Sequence, residues 1–161
     1  MDKVLNQRLR AMVVILATGI AHGALAAPGS PDPEPAWQKD PVIDKVSALT
    51  ARKDWPAATA VMKEALASSP QNAEYHNMYA YTIRKGPNPN MDLVFKHYTE
   101  ALRLKPDYRG AHEYIGEAYL MVGNLPKAKE HLARLDRLCT FGCEEYTDLK
   151  KAVAAYEAKK R

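Results

Sequence analysis

The sequence predicts an all-α fold of about three stacked helix–turn–helix repeats closed by a C-terminal capping helix. Three observations predict it. Apolar residues fall at three- and four-residue steps, and no useful length alternates with the two-residue period of a strand. A pattern of large and small residues returns every 34 to 36 positions. Prolines and capping residues punctuate the chain at matching places. One helix pair cannot hide such apolar stripes, whereas stacked pairs hide them against each other.

The first element is a leader. Residues 1–26 have the layout of a secretory signal peptide: Lys3, Arg8 and Arg10, then the apolar run from Ala11 to Ile20, then Ala24-Leu25-Ala26 at a small-residue cut. The run is too short for a bilayer, which needs about 20 apolar residues. Cleavage after Ala26 implies export, to a periplasm or a secretory route, and no membrane association afterwards. It also takes the formal net charge from +4 to +2 by removing three basic residues and Asp2. No basic cluster suited to phosphates is left, so nucleic acid is not an expected partner. Residues 27–41 hold five prolines and little apolar content and read as an extended linker, with Trp37 its one large anchor.

The helical domain is expected over 42–159. Its seven helices fall at about 42–52, 55–68, 72–85, 91–104, 108–122, 125–138 and 144–159. Asp54 before Trp55-Pro56, and Asn124 before Leu125-Pro126, are capping residues followed by a first-turn proline, where the missing N–H is not needed. Pro70 and Pro106 stop the second helices of their units. Gly86-Pro87-Asn88-Pro89-Asn90 is a rigid turn inside the second unit. Tyr75, Tyr79 and Ile83 form one apolar face. Ile115, Ala118, Tyr119 and Val122 form another, and Tyr146, Leu149, Val153 and Tyr156 the last.

The repeat is clearest in His112-x2-Ile115-Gly116-x2-Tyr119…Ala128-x3-Leu132. It appears upstream as His76-x2-Tyr79-Ala80-x2-Ile83…Val94-x3-Tyr98…Pro106, and more faintly as Val42-x2-Lys45-Val46-x2-Leu49…Ala58-x3-Met62…Pro70. This period and pattern resemble the tetratricopeptide repeat. The resemblance covers about 39–140 plus the capping helix. It departs where Lys45-Val46 replaces a Leu-Gly pair, where Val94 replaces Ala, and where Leu135 and Thr140 replace Ala and Pro. Small residues at Ala80, Gly116, Ala58 and Ala128 let helices approach closely. Larger ones there would cost about 1–3 kcal/mol.

The resemblance implies that first helices line a concave groove. There Asn77, Tyr81 and Arg84 of the second unit face Glu113, Glu117 and Leu120 of the third. Such a mixed surface suits an extended or helical segment of another protein. On this reading, replacing Tyr81 and Arg84 by Ala removes binding and leaves helical content unchanged. Arg84 and Glu117 also have the alternative of pairing with each other. The carboxylate clamp of some family members is not evident, because the third unit offers acids where a clamp wants cations.

Cys139 and Cys143, in CTFGC, are the only cysteines. In an exported protein two thiols are expected to pair, and Gly142 lets the chain turn between them. A bridge would fasten the last helix to the third unit. A redox or copper-handling role with a histidine remains the alternative, although neither C-x-x-C nor the haem motif is present. His76 and His112 occupy equivalent places in adjacent first helices, where they could stack near one another, but packing imidazoles are the expected reading; His97 and His131 lie on second helices. No catalytic, cofactor-binding or metal motif appears. The function expected is an exported scaffold that binds another protein without catalysis, with self-association as a further possibility.

Overall fold

The computed structural model describes residues 40–160, so the leader, nearly all of the linker and Trp37 lie outside the described residues. Seven helices are present there: α1 Pro41–Ala51, α2 Trp55–Ser68, α3 Ala73–Lys85, α4 Met91–Leu104, α5 Arg109–Met121, α6 Leu125–Leu138 and α7 Glu144–Lys159. Each lies within two residues of its sequence expectation. Among the described residues no helix is long and apolar enough to cross a membrane.

Local chemistry fixes the helix starts. Asp40, Asp54, Asn72, Asn90 and Asn124 each accept from backbone N–H groups of the turn that follows, filling donors the helix leaves unmade. Pro41, Pro56 and Pro126 occupy first turns. The α1–α2 and α5–α6 turns follow one plan. Each needs a left-handed residue just before its capping residue, supplied by Gly123 at φ 78° in the third unit and by Lys53 at φ 59° in the first.

Packing follows the chain. Every helix packs on its successor, and α3 also meets α5, and α5 meets α7. Three apolar clusters result. Val46, Leu49, Ala58, Met62, Leu66 and Tyr75 fill the space among α1, α2 and α3. Ala80, Val94, Tyr98, Ile115 and Ala118 join α3, α4 and α5. Ala128, Leu135, Leu149 and Val153 bind α7 to α6, with Tyr119 and Leu120 of α5 against them. Neighbour-to-neighbour burial of this kind is what a stacked repeat requires.

The small residues sit where helices come closest. A Cβ on Gly116 would stand 2.6 Å from Leu149 Cδ2, so α7 leans on α5 at a spot only glycine permits. Val122 departs from its expected place: it ends α5 as a capping residue and is 49% exposed, outside the apolar face.

Candidate functional site

The first helices α3 and α5 meet, and α7 packs on α5, with a hollow lined from all three. Tyr81 and Tyr114 meet there with ring centres 4.9 Å apart, and Trp55 packs edge-on against Tyr81 at 6.1 Å. Tyr81, Tyr114, Glu113, Glu117 and Leu120 are partly exposed.

Asn77 and Arg84 are placed differently from the groove-lining role expected of them. Arg84 is only 6% exposed. Its Nε donates to Tyr98 Oη at 3.2 Å. Its guanidinium lies 5.7 Å from the Tyr81 ring centre and 5.6 Å from that of Tyr114, a range in which a ring face attracts a cation. Its Nη2 stands 2.7 Å from Glu117 Oε2, an ion pair without hydrogen-bond alignment. Burial works against the Arg84 charge, but Tyr98 and Glu117 outweigh it and hold the pKa above its ordinary value. Arg84 is therefore a strut beneath the aromatic floor. The Tyr81 and Arg84 double substitution loses this strut, so it tests folding together with binding.

Asn77 is 2% exposed. Its Nδ2 makes one long bond, 3.5 Å, to Tyr108 Oη, and its Oδ1 is buried with no partner among the described residues. It opens onto a cavity of about 390 Å³ between α3, α5 and α7, lined also by Tyr108, Tyr114, Glu113, Glu144, Glu145 and Asp148. Burial, then the charges of Glu117, Asp148 and Glu145, push the Glu113 carboxyl up to about 8 against a smaller opposing pull from Arg84. Burial likewise raises Tyr108 to about 12. A slightly larger hollow of about 430 Å³, walled by Val42, Val61, Ala65 and Tyr75, lies by the start of α1; it borders the chain that leads to residues outside those described.

Sequence reasoning missed the acidic end of this site. Glu144 and Glu145 read as acids suited to a helix N-terminus. Nothing in one sequence tells that α7 folds back on α5 and brings them, with Asp148, to Glu113.

The histidines are packing groups that pair within their own units. His76 and His112 do not stack on each other; each turns to the second helix of its own unit. His76 Nδ1 lies 2.8 Å from His97 Nδ1, and His112 Nδ1 lies 2.9 Å from His131 Nδ1. The outer Nε2 atoms reach the carbonyls of Pro70 at 3.0 Å and Pro106 at 2.9 Å. A carbonyl only accepts, so in the neutral rings His76 and His112 carry the proton on Nε2. Their Nδ1 atoms then accept from His97 and His131. Burial first, and then the neighbouring imidazole, lowers His97 and His131 to about 4.

Cys139 and Cys143 are joined by a disulfide, with Cα atoms 5.5 Å apart. Gly142, at φ 84°, makes the turn between them. Their sulfurs and a Glu145 oxygen lie within 4.8 Å of one another. Sulfurs bonded to each other are not thiolates, so this trio offers a metal site only after reduction.

The fold matches solved structures of one kind. The Yersinia enterocolitica type III secretion chaperone SycD, solved with a peptide of the translocator YopD, aligns with TM-score 0.63 at 14% identity, over 74% of this chain and 92% of that one. The second TPR domain of human RPAP3, solved with the HSP70 peptide SGPTIEEVD, aligns with TM-score 0.59 at 21% identity, over 69% and 91%. The chain has the tetratricopeptide-repeat fold. Among curated proteins, the TPR repeat-containing thioredoxin TTL4 of Arabidopsis thaliana is 27% identical over 141 residues, which is 85% of this chain and 18% of that protein. The chain thus spans under a fifth of that relative's length. No family model matches the chain.

Proposed function

We propose that this protein is an exported TPR scaffold that holds a segment of another protein along the concave side of α3, α5 and α7 and performs no chemistry itself. One observation carries the reading. Tyr81 and Tyr114 present a partly exposed aromatic floor that Arg84, Tyr98 and Glu117 fix from below. Rigid aromatic surface of this kind gives contact area at low entropic cost on binding. The SycD and RPAP3 structures, whose fold this chain shares, hold peptides of other proteins. Export rests on the layout of residues 1–26 and on the Cys139–Cys143 bridge, a feature of oxidising compartments.

A displayed library of random peptides, selected on the full chain, tests the binding reading. Selected peptides are expected to shift the NMR signals of Tyr81, Tyr114 and Glu117, and Tyr81→Glu is expected to remove binding with the circular dichroism unchanged. Peptides that bind equally well to Tyr81→Glu, or none emerging, would reject it. Export is tested separately by the mass of the protein recovered from its native host, expected to begin at Ala27; a cytoplasmic protein retaining Met1 would reject that part.

A second reading, a redox or copper-handling protein, is favoured by the closeness of Cys139, Cys143 and Glu145. Thiol titration separates the two. A bridge that resists mild reductant and a chain that takes up no copper(I) support the scaffold.

A further inference from the structure

In a stacked repeat each unit's apolar surface is closed by its neighbours. The last unit is closed by α7, whereas the first has a neighbouring unit on one side only. The hollow of about 430 Å³ lies in that first unit. Tyr75 on its wall belongs to the core of the unit, and Val42, Val61 and Ala65 pack against that core. The space is therefore an apolar corner of the unit's own interior.

The chain enters the first helix at the edge of this corner. Asp40 caps α1, and its Oδ2 accepts from Tyr75 Oη at 2.7 Å. Pro41, the next residue, also lines the hollow. A residue ahead of proline is pushed toward extended backbone, and Asp40 has φ −64° and ψ 114°. The chain ahead of Asp40 thus departs from the helix axis beside the hollow.

Residues 27–39 hold one large apolar side chain, Trp37. It stands three positions before Asp40, and that much chain spans at most about 10 Å. A side chain on so short a tether faces the hollow at an effective concentration of about millimolar, ahead of any free competitor. The rim also suits an indole. Glu64 offers an acceptor for its N–H, and Lys45 a cation for its ring face.

We propose that Trp37 closes this hollow, with its indole packed on Val42, Val61, Ala65 and Tyr75. The stack is then capped at both ends, by a single side chain at the first unit and by a helix at the third. The hollow is accordingly filled by the chain itself and offers no second docking place. This goes beyond the docking reading and does not depend on it.

The chain has two tryptophans, so Trp55→Phe in the full chain leaves Trp37 as the sole indole. Its emission is expected to be blue-shifted from that of the urea-unfolded chain, and its quenching by acrylamide several-fold weaker, at any protein concentration. Adding Ala65→Arg, which fills the hollow from α2, returns both to the exposed values. In the otherwise native chain, Trp37→Ala moves the NMR methyl signals of Val42 and Val61, leaves those of Tyr81 and Tyr114 in place and lowers the urea midpoint. Trp37 lies ahead of α1, and circular dichroism confirms that helical content is kept. These readouts hold whatever Ala65→Arg does to folding. Trp37→Ala and Val61→Ala together cost less than the sum of the two, which separates a contact from an effect on the unfolded chain. An indole as exposed as in urea, Val42 and Val61 signals unmoved by Trp37→Ala, or full additivity would overturn the proposal. Protection that appears only at raised protein concentration assigns the hollow to a second copy and overturns it too, as does a library peptide that binds there with Trp37 in place. A library that yields no binder rejects the docking reading and leaves the Trp37 readouts as the separate judge of this one.

Discussion

Arg84 carries a full charge where water hardly reaches, and its neighbours explain why it stays charged. Tyr98 Oη, Glu117 and two ring faces replace the lost hydration. Removing one partner of such a pair leaves the other uncompensated. Arg84→Ala is expected to lower unfolding stability by about 3 kcal/mol, the low end for a broken buried pair because Glu117 is 29% exposed; urea unfolding measures it, and a loss below about 1 kcal/mol contradicts the strut. The histidine pairs give a pH dependence. His97 and His131 fall to about 4 in the folded state from an ordinary 6.5, so between those values the unfolded chain binds more protons. Their contribution is complete above pH 6.5 and is lost as pH falls through 4. Glu113, raised from 4.5 to about 8, acts in the opposite sense, its contribution fading as pH rises through 8. The measurement is therefore a comparison of the parent with His97→Gln and His131→Gln at each pH. The urea midpoint of the parent should fall relative to theirs between pH 6.5 and 4; parallel curves would contradict the assignment. The sequence showed that histidines recur at matching places. It gave no hint of their partners, because the step from His76 to His97 crosses a turn whose geometry is set by packing.

At the scale of the element, boundaries were legible because their causes are local. A capping side chain and a first-turn proline act within three residues, and α2 and α6 begin where Asp54 and Asn124 say they do. Which helices meet is a different matter. Gly116 was readable as a small residue of the repeat, but its partner, Leu149, comes from α7, beyond the last repeat. Leu149 is fully buried and has little room to withdraw. Gly116→Ala is expected to cost about 1–3 kcal/mol through overpacking. Combined with Leu149→Ala it should cost less than the sum of the two single changes, since the added methyl then enters vacated space. Strict additivity would show that α5 and α7 adjust independently.

For the whole molecule, stability passes from neighbour to neighbour, so the ends matter most. α7 covers Ala128 and Leu135 of α6 with Leu149 and Val153, and the Cys139–Cys143 bridge ties the residue that caps its start to the one that ends α6. Closing so short a loop stabilises by about 2 kcal/mol on the chain-entropy account. The double change Cys139→Ser and Cys143→Ser is expected to lose about that amount. Amide hydrogen exchange should show protection lost first in α7 and kept longest in α3 and α4. Uniform loss along the chain would mean that the stack melts as one block and the bridge has no special hold on its end.

The sequence by itself determined the fold class, the number and bounds of the helices, the three stacked units and the closing helix. Period, proline position and capping chemistry are short-range causes, and each leaves its mark within a few residues of where it acts. Tertiary structure alone decided which polar side chains face the groove. It placed Arg84 and Asn77 inside, married each first-helix histidine to its own second helix, and carried Glu144, Glu145 and Asp148 across to Glu113. The reason is that repeat spacing fixes which face of a helix a residue occupies, while the depth of that face depends on helices whose approach is set by side chains far along the chain.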